Sequence, residues 1–239
     1  MYQLVYDGSF EGFLTACHHY LNGVDIEEVV NKRINPTYQP SIFSVEILTD
    51  LDKAEEVVSM MRKKSDKLLQ KVYFAYLCDR AKIEMTVFKY IDMDGGWDDL
   101  RNDVVIDIEK NIHNLFSERH KMLGFLRFSE MKDGVMLGFI SPKNNILPLL
   151  GVHFKKRFGN NRWAIVDKVR RLVIYYDGKR LSHGELEWLG DIEYSETEQK
   201  IRESWKKFFD SVAIKERISY ERQRGKVPLW VRDEMIEFH

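Results

Sequence analysis

Between His153 and Arg180 the chain carries nine basic side chains against two acidic ones, a net charge of +7. They are Lys155, Lys156, Arg157, Arg162, Lys168, Arg170, Arg171, Lys179 and Arg180. The flanking stretches are acidic, with residues 1–152 at −5 and residues 181–239 at −3. Charge concentrated in this way sets a local potential even on a near-neutral protein. Several Lys/Arg on one face are what phosphate binding requires. Phe154, Phe158, Trp163, Tyr175 and Tyr176 lie among these cations, and aromatic rings can stack on unpaired bases. The pattern predicts a nucleic-acid-facing surface. The plainer alternative is a solvated face paired with the acidic stretch 94–109. Strand alternation sends Trp163 and Ile165 to one face and Arg162 and Ala164 to the other, so Trp163 is expected in the core. Lys168, Arg170 and Arg171 are expected in or near a turn, projecting together.

Arg127 falls in a predicted apolar strand, Phe125-Leu126-Arg127-Phe128, where a charge must be paired or face solvent. It is a candidate phosphate ligand on an open sheet face. Otherwise it is an outward-facing residue or an ion-pair partner of Glu118 or Glu130. His120, His153 and Asp167 are the residues with which acid–base chemistry near the basic surface would be done. Against that, a lone His before Phe154 suits a structural role, and Asp167 suits a strand-ending turn. Lys215, Arg217, Arg222 and Arg224 form a second basic patch or an exposed connector. No cofactor and no metal are expected, because His-x-x-x-His, His-Glu-x-x-His and Cys-x-x-Cys spacings do not occur. The acidic run Asp92–Asp99 lacks the closing Glu of a calcium loop.

The elements that must position these residues follow from periodicity and turn chemistry. Residues 2–6 and 42–49 alternate like strands. Ser9 is a predicted N-cap for a helix closing at Asn22-Gly23, and two prolines make 31–41 a loop. A long helical region runs over 52–91 with a break near Ser65-Asp66. After the turn at Asp94–Trp97, an amphipathic helix over 98–122 is expected. Phe125–Phe128 and Val135–Ile140 predict a hairpin around Lys132-Asp133-Gly134. A helix over 145–158 leads into a second hairpin, Trp163–Val166 with Leu172–Tyr176, and Asp177-Gly178 supplies the exit turn. Residues 182–194 read as loop. Ser195 and Glu198 predict a capping box. It opens a helix whose buried stripe is Ile201, Trp205, Phe208, Phe209 and Val212. A short helix starts at Pro228. Together these give an α+β fold in a single domain over 1–239, with a helical sub-region at 50–122. A small antiparallel sheet, two hairpins plus N-terminal strands, is flanked by helices.

Hydrophobic residues make up 44% and charged residues 31% of the 239, which excludes a disordered chain. No apolar run approaches the ~20 residues of a membrane span. The opening Met1–Asp7 lacks the pattern of a signal peptide. Cys17 and Cys78 make no disulfide framework. A cytoplasmic setting without membrane association is expected.

The chain also resembles a family of uncharacterised bacterial DNA metabolism or DNA repair proteins. The resemblance rests on Tyr6-Asp7-Gly8-Ser9-Phe10-Glu11-Gly12-Phe13, His120–Phe128, Pro148-Leu149-Leu150, His153-Phe154, Arg157-Phe158, Trp163–Asp167 and Arg171. Trp205, Phe209, Ile214, Glu216-Arg217, Pro228 and Trp230 extend it across essentially the whole chain. The chain departs from the family pattern at Ser219, where Asn is expected, and in the basic spacing before Pro228. The resemblance implies a radical-SAM companion protein and kinship to domains fused to uracil-DNA-glycosylase-like domains. It carries no catalytic residues over.

The leading expectation is therefore a DNA repair or DNA metabolism accessory protein. It would bind DNA, single-stranded DNA included, through 153–180 with Arg127 and Arg217. Two readings stand beside it: a nucleic-acid hydrolase using His120, His153 and Asp167, and an interaction module for a radical-SAM partner.

Overall fold

The computed structural model describes residues 2–35, 37–80, 82–187, 190–212 and 219–238. The fold is α+β, with helices around one sheet of three strands and one of five. The chain divides into two compact units, Met1–Ser117 and Glu118–His239.

The first unit begins with β1 (Tyr2–Tyr6), α1 (Phe10–Leu21) and β2 (Ile26–Asn31), followed by β3 (Ser44–Glu46). β1 lies between the other two strands and pairs with both in parallel. Parallel neighbours need a crossover connection, which α1 supplies between β1 and β2. The N-terminal strands are thus a parallel sheet of their own, not an extension of an antiparallel one. Ser9 caps α1 as expected, its Oγ accepting from Gly12 N at 2.9 Å. β2 was not foreseen: Glu27 and Glu28 hide the apolar pattern of a strand whose last three residues are buried.

The long helical region is three helices, α2 (Leu51–Lys64), α3 (Asp66–Tyr76) and α4 (Ile83–Asp92). Ser65 ends α2 and caps α3, its side chain accepting from Lys67 N. The second break has no Gly or Pro to announce it; it ends on Lys82, whose φ of 64° is left-handed. Phe13, Phe88, Met61 and Val72 are wholly buried in this unit's core.

Glu84 is 6% exposed there, and its Oε1 accepts from Tyr6 Oη at 3.3 Å. Burial pushes its carboxyl pKa up to about 7 from an ordinary 4.5. A carboxyl whose pKa rises on folding binds its proton more tightly in the folded state. That contribution is complete below pH 4.5 and is lost as pH rises through 7. Glu84→Gln should flatten the fall in stability between pH 5 and pH 8 and recover up to about 3 kcal/mol at the alkaline end. Urea unfolding at the two pH values checks this; an unchanged slope in the variant contradicts it.

α5 (Asp103–Phe125) contains the boundary between the units. In the second unit, β4 (Phe128–Glu130), β5 (Met136–Ile140), β6 (Trp163–Asp167), β7 (Leu172–Tyr176) and β8 (Leu181–Glu185) form a sheet in that order. Both hairpins are present, the first with its opening strand at Phe128–Glu130 rather than Phe125–Phe128, where α5 still runs through Phe125, but the sheet is mixed, because β5 and β6 run parallel. The crossover between them is α6 (Leu147–Arg157), which packs on β6 and β7. Close approach depends on Gly151: a Cβ there would lie 2.1 Å from Ile174 Cδ1. Trp163 is fully buried. β8 falls where a loop was expected; four of its five residues are exposed, so backbone pairing with β7 makes it a strand.

α7 (Glu196–Val212) opens on Ser195, whose Oγ accepts from Glu198 N at 3.0 Å. The Glu198 side chain does not reach back to Ser195; it accepts from Glu130 N at 3.3 Å and ties α7 to β4. The stripe expected to be buried is largely exposed, with Ile201, Trp205, Phe208 and Val212 all open. α8 (Tyr220–Lys226), α9 (Leu229–Arg232) and a 3-10 turn, Ile236–Phe238, complete the described chain.

Candidate nucleic-acid interface

The strand order splits the basic segment between the two ends of the five-stranded sheet. α6 leaves the far end of β5 and delivers the chain to the start of β6, so its last turn stands at the near end. The near end thus holds Lys155, Lys156 and Arg157, Arg162, and the β7–β8 turn with Lys179 and Arg180. The β6–β7 turn, with Lys168, Arg170 and Arg171, stands at the far end, and Arg127 precedes β4 there. At about 3.3 Å per residue, five-residue strands separate the ends by roughly 15 Å.

Two contacts draw the near-end cations together. The β7–β8 turn lies against the turn after α6, since a Cβ on Gly178 would come 2.5 Å from the Asn160 carbonyl oxygen. Gly178 has a φ of 96°, so glycine is required there twice over. Lys155 Nζ lies 5.9 Å from the Tyr176 ring centroid, and Tyr176 Oη donates to the Gly178 carbonyl at 2.9 Å. Lys155, Lys156, Arg157, Lys179 and Arg180 are exposed. Among the described residues, no carboxylate side chain forms an ion pair with any of the five. Asp177 spends its carboxylate on the turn itself, accepting from Lys179 N at 2.7 Å and Arg180 N at 2.6 Å. Those N–H groups hold it below the usual carboxylate range, with the Arg180 and Lys179 charges adding to the effect. Arg162 is exposed and donates to the Asp133 carbonyl.

The far end is different, because Arg127, Lys168, Arg170 and Arg171 are each engaged. Arg170 is 5% exposed and Asp167 is fully buried, with Nη1 2.8 Å from Oδ2. Arg170 also donates to the carbonyls of Pro142 and Lys143. Burial pushes the Asp167 carboxyl up, against the pull of Arg170 and two backbone N–H groups. Glu118 holds the other side of the same loop, accepting from Lys143 N at 2.7 Å and Asn144 N at 2.9 Å. Lys168 pairs with Glu234 at 2.6 Å. Arg171, with a left-handed φ of 53°, donates to the Leu186 and Glu187 carbonyls. Arg127 is not in a strand. It donates to the Gly124 and Phe125 carbonyls at 3.0 and 3.3 Å, closing the C-terminus of α5 rather than pairing with Glu118 or Glu130.

Arg170 and Asp167 therefore leave the set of side chains that can meet a ligand: they form a buried structural pair. His153 is half-buried on α6, and its Nε2 is buried without a hydrogen-bond partner among the described residues. Burial lowers its pKa, and the neighbouring Arg119 and Arg157 charges lower it further. His120 is exposed on α5. No hydrogen bond joins any two of His120, His153 and Asp167. Arg217 and Lys215 lie outside the described residues. Among the described residues, no three His, Cys, Asp or Glu side chains are grouped to hold a metal ion, and no helix is long and apolar enough to cross a membrane.

Sequence reasoning treated Lys179 and Arg180 as part of the run without giving them a role. The signal was present in the Asp177-Gly178 turn, which fixes where they project. Arg119, beside His153, was missed; its approach to His153 brings α5 and α6 together, which the sequence does not show.

A family model for a domain of unknown function, DUF4130, matches residues 81–237. No curated protein and no solved structure matches the chain. The match covers about two thirds of the sequence, and it takes in all five strands of the second sheet and the helix α6 that carries the basic turn. The chain belongs to this uncharacterised family, DUF4130.

Proposed function

We propose that the protein binds nucleic acid through the near end of the five-stranded sheet, as an accessory protein of DNA repair or DNA metabolism working in the cytoplasm. The observation that carries this is the group Lys155, Lys156, Arg157, Lys179 and Arg180, held together by turn packing and left without carboxylate partners among the described residues. Cations that a fold needs for itself are usually paired or bonded to backbone, as Arg127, Lys168, Arg170 and Arg171 at the far end are. DNA as the partner rests on the resemblance to DNA metabolism proteins. Binding of a labelled 20-nucleotide DNA, followed by fluorescence anisotropy at low salt, tests the proposal. Binding that weakens as salt rises is expected; no binding at about 50 mM salt overturns it.

One observation favours a second reading, docking of a companion protein such as the radical-SAM partner that the resemblance implies. Ile201, Trp205, Phe208 and Val212 follow the 4-3-4 spacing of a helix-packing seam and are exposed along α7. Helical geometry puts Lys200, Arg202, Lys206 and Lys207 beside the seam and Glu203 and Asp210 behind it. The surface that fits is an amphipathic helix with acidic flanks. The companion should co-purify with the wild-type protein after nuclease treatment and be lost with Trp205→Ser/Phe208→Ser. Equal retention by that variant removes this reading.

A further inference from the structure

Beside Arg162, on the sheet face away from α6, lies an open cavity of about 570 Å³. Leu137 and Tyr175 line it from one row of the sheet, in which Leu137, Ala164, Tyr175 and Ser182 are successive cross-strand neighbours. The residues on either side of Tyr175 in that row are small, and among the described residues no other ring stacks on it. The half-buried Tyr175 ring therefore faces the cavity as an unoccupied aromatic surface. Met131, Val135 and Leu137 give apolar walls; Asp133, Asp191 and Glu193 give carboxylates, and Lys132 pairs with Glu193 at 2.8 Å. Arg162 also lines the cavity, at the end of the sheet that bears Lys179 and Arg180.

Three carboxylates, Asp133, Asp191 and Glu193, line the cavity against two cations, of which Lys132 is paired with Glu193, while Lys179 and Arg180 stand outside the lining at the same sheet end. A phosphate is attracted by Arg162, Lys179 and Arg180 and repelled by the three carboxylates. An uncharged nucleobase, with a π-face for Tyr175 and a ring N–H or amino donor for the carboxylate acceptors, suits the inside. The volume falls within the roughly 300–1,000 Å³ of small-ligand sites. A base paired and stacked in a duplex cannot enter such a cavity without leaving its stack.

Resting on the nucleic-acid reading of the same sheet end, we infer that the substrate class is single-stranded DNA, with one unpaired base seated on Tyr175 and the adjoining phosphates on Arg162, Lys179 and Arg180. The experiment compares labelled dT20 with a 20-base-pair duplex by anisotropy, for the wild type, Tyr175→Leu and Tyr175→Phe. The wild type should prefer dT20. Tyr175→Leu should lose about tenfold in affinity for dT20, the size of one base–aromatic stack, and nothing for the duplex. Tyr175→Phe should keep the preference, which separates loss of stacking from loss of folding. Unchanged dT20 affinity in Tyr175→Leu overturns the base site and leaves the nucleic-acid reading intact. Failure of both oligonucleotides to bind the wild type overturns both.

Discussion

Alanine at Lys155, Lys156, Arg157, Lys179 and Arg180 together should weaken DNA binding at least about a hundredfold at 50 mM salt. The loss follows from counterion release. A single strand loses affinity with a slope of about −0.7 per neutralised phosphate, so five contacts give a slope near −3.5 and about a hundredfold loss between 50 and 200 mM. The variant should keep only a small residual slope. Its fold should survive, because all five side chains are exposed and lack carboxylate partners among the described residues. Lys155, Lys156 and Arg157 do sit in the last turn of α6, where a cation contributes about 0.3–1 kcal/mol against the helix dipole. A modest fall in melting temperature with a large loss of binding is the expected combination. Binding retained within about threefold would mean that these cations are solvated charges and nothing more.

Arg170→Ala should have the opposite profile: a large loss of stability. The Arg170–Asp167 pair has side chains 2% and 0% exposed. Removing one partner leaves a buried charge uncompensated, at a cost of about 3–5 kcal/mol. The guanidinium also satisfies the Pro142 and Lys143 carbonyls in the loop that Glu118 holds from the other side. Lysine cannot reproduce that fork, so Arg170→Lys should recover only part of the loss. Urea unfolding measures both variants. A change below about 1 kcal/mol for Arg170→Ala would show that the pair is not structural.

The sequence made the local elements of the second unit legible. Asp133-Gly134 and Asp177-Gly178 announced turns, alternation placed Trp163 inward, and Ser195 announced α7. Strand partners were less legible, since periodicity does not say which strands are neighbours. α6 read as a helix, but only its role as a parallel crossover sends Lys155–Arg157 to one end of the sheet and Lys168–Arg171 to the other. Arg170 looked like its neighbours in a basic turn; its burial depends on the carbonyls of residues 142 and 143, which sequence proximity does not reveal. The α7 stripe showed the periodicity of a buried face, and periodicity cannot distinguish a face packed within its own chain from one left open. β8 was hidden for the reverse reason: Ser182, His183 and Gly184 have no strand pattern, and β7 imposes one.

The proposed function requires that one end of the five-stranded sheet be free to bind DNA while Arg127, Lys168, Arg170 and Arg171 at the other serve the fold. The most direct measurement compares dT20 affinity for two variants on equal amounts of folded protein. One changes Lys156, Arg157 and Arg180 to Ala; the other changes Arg127, Lys168 and Arg171 to Ala. At least about tenfold loss is expected for the first and less than about twofold for the second. Equal losses, or a larger loss from the second, would contradict it.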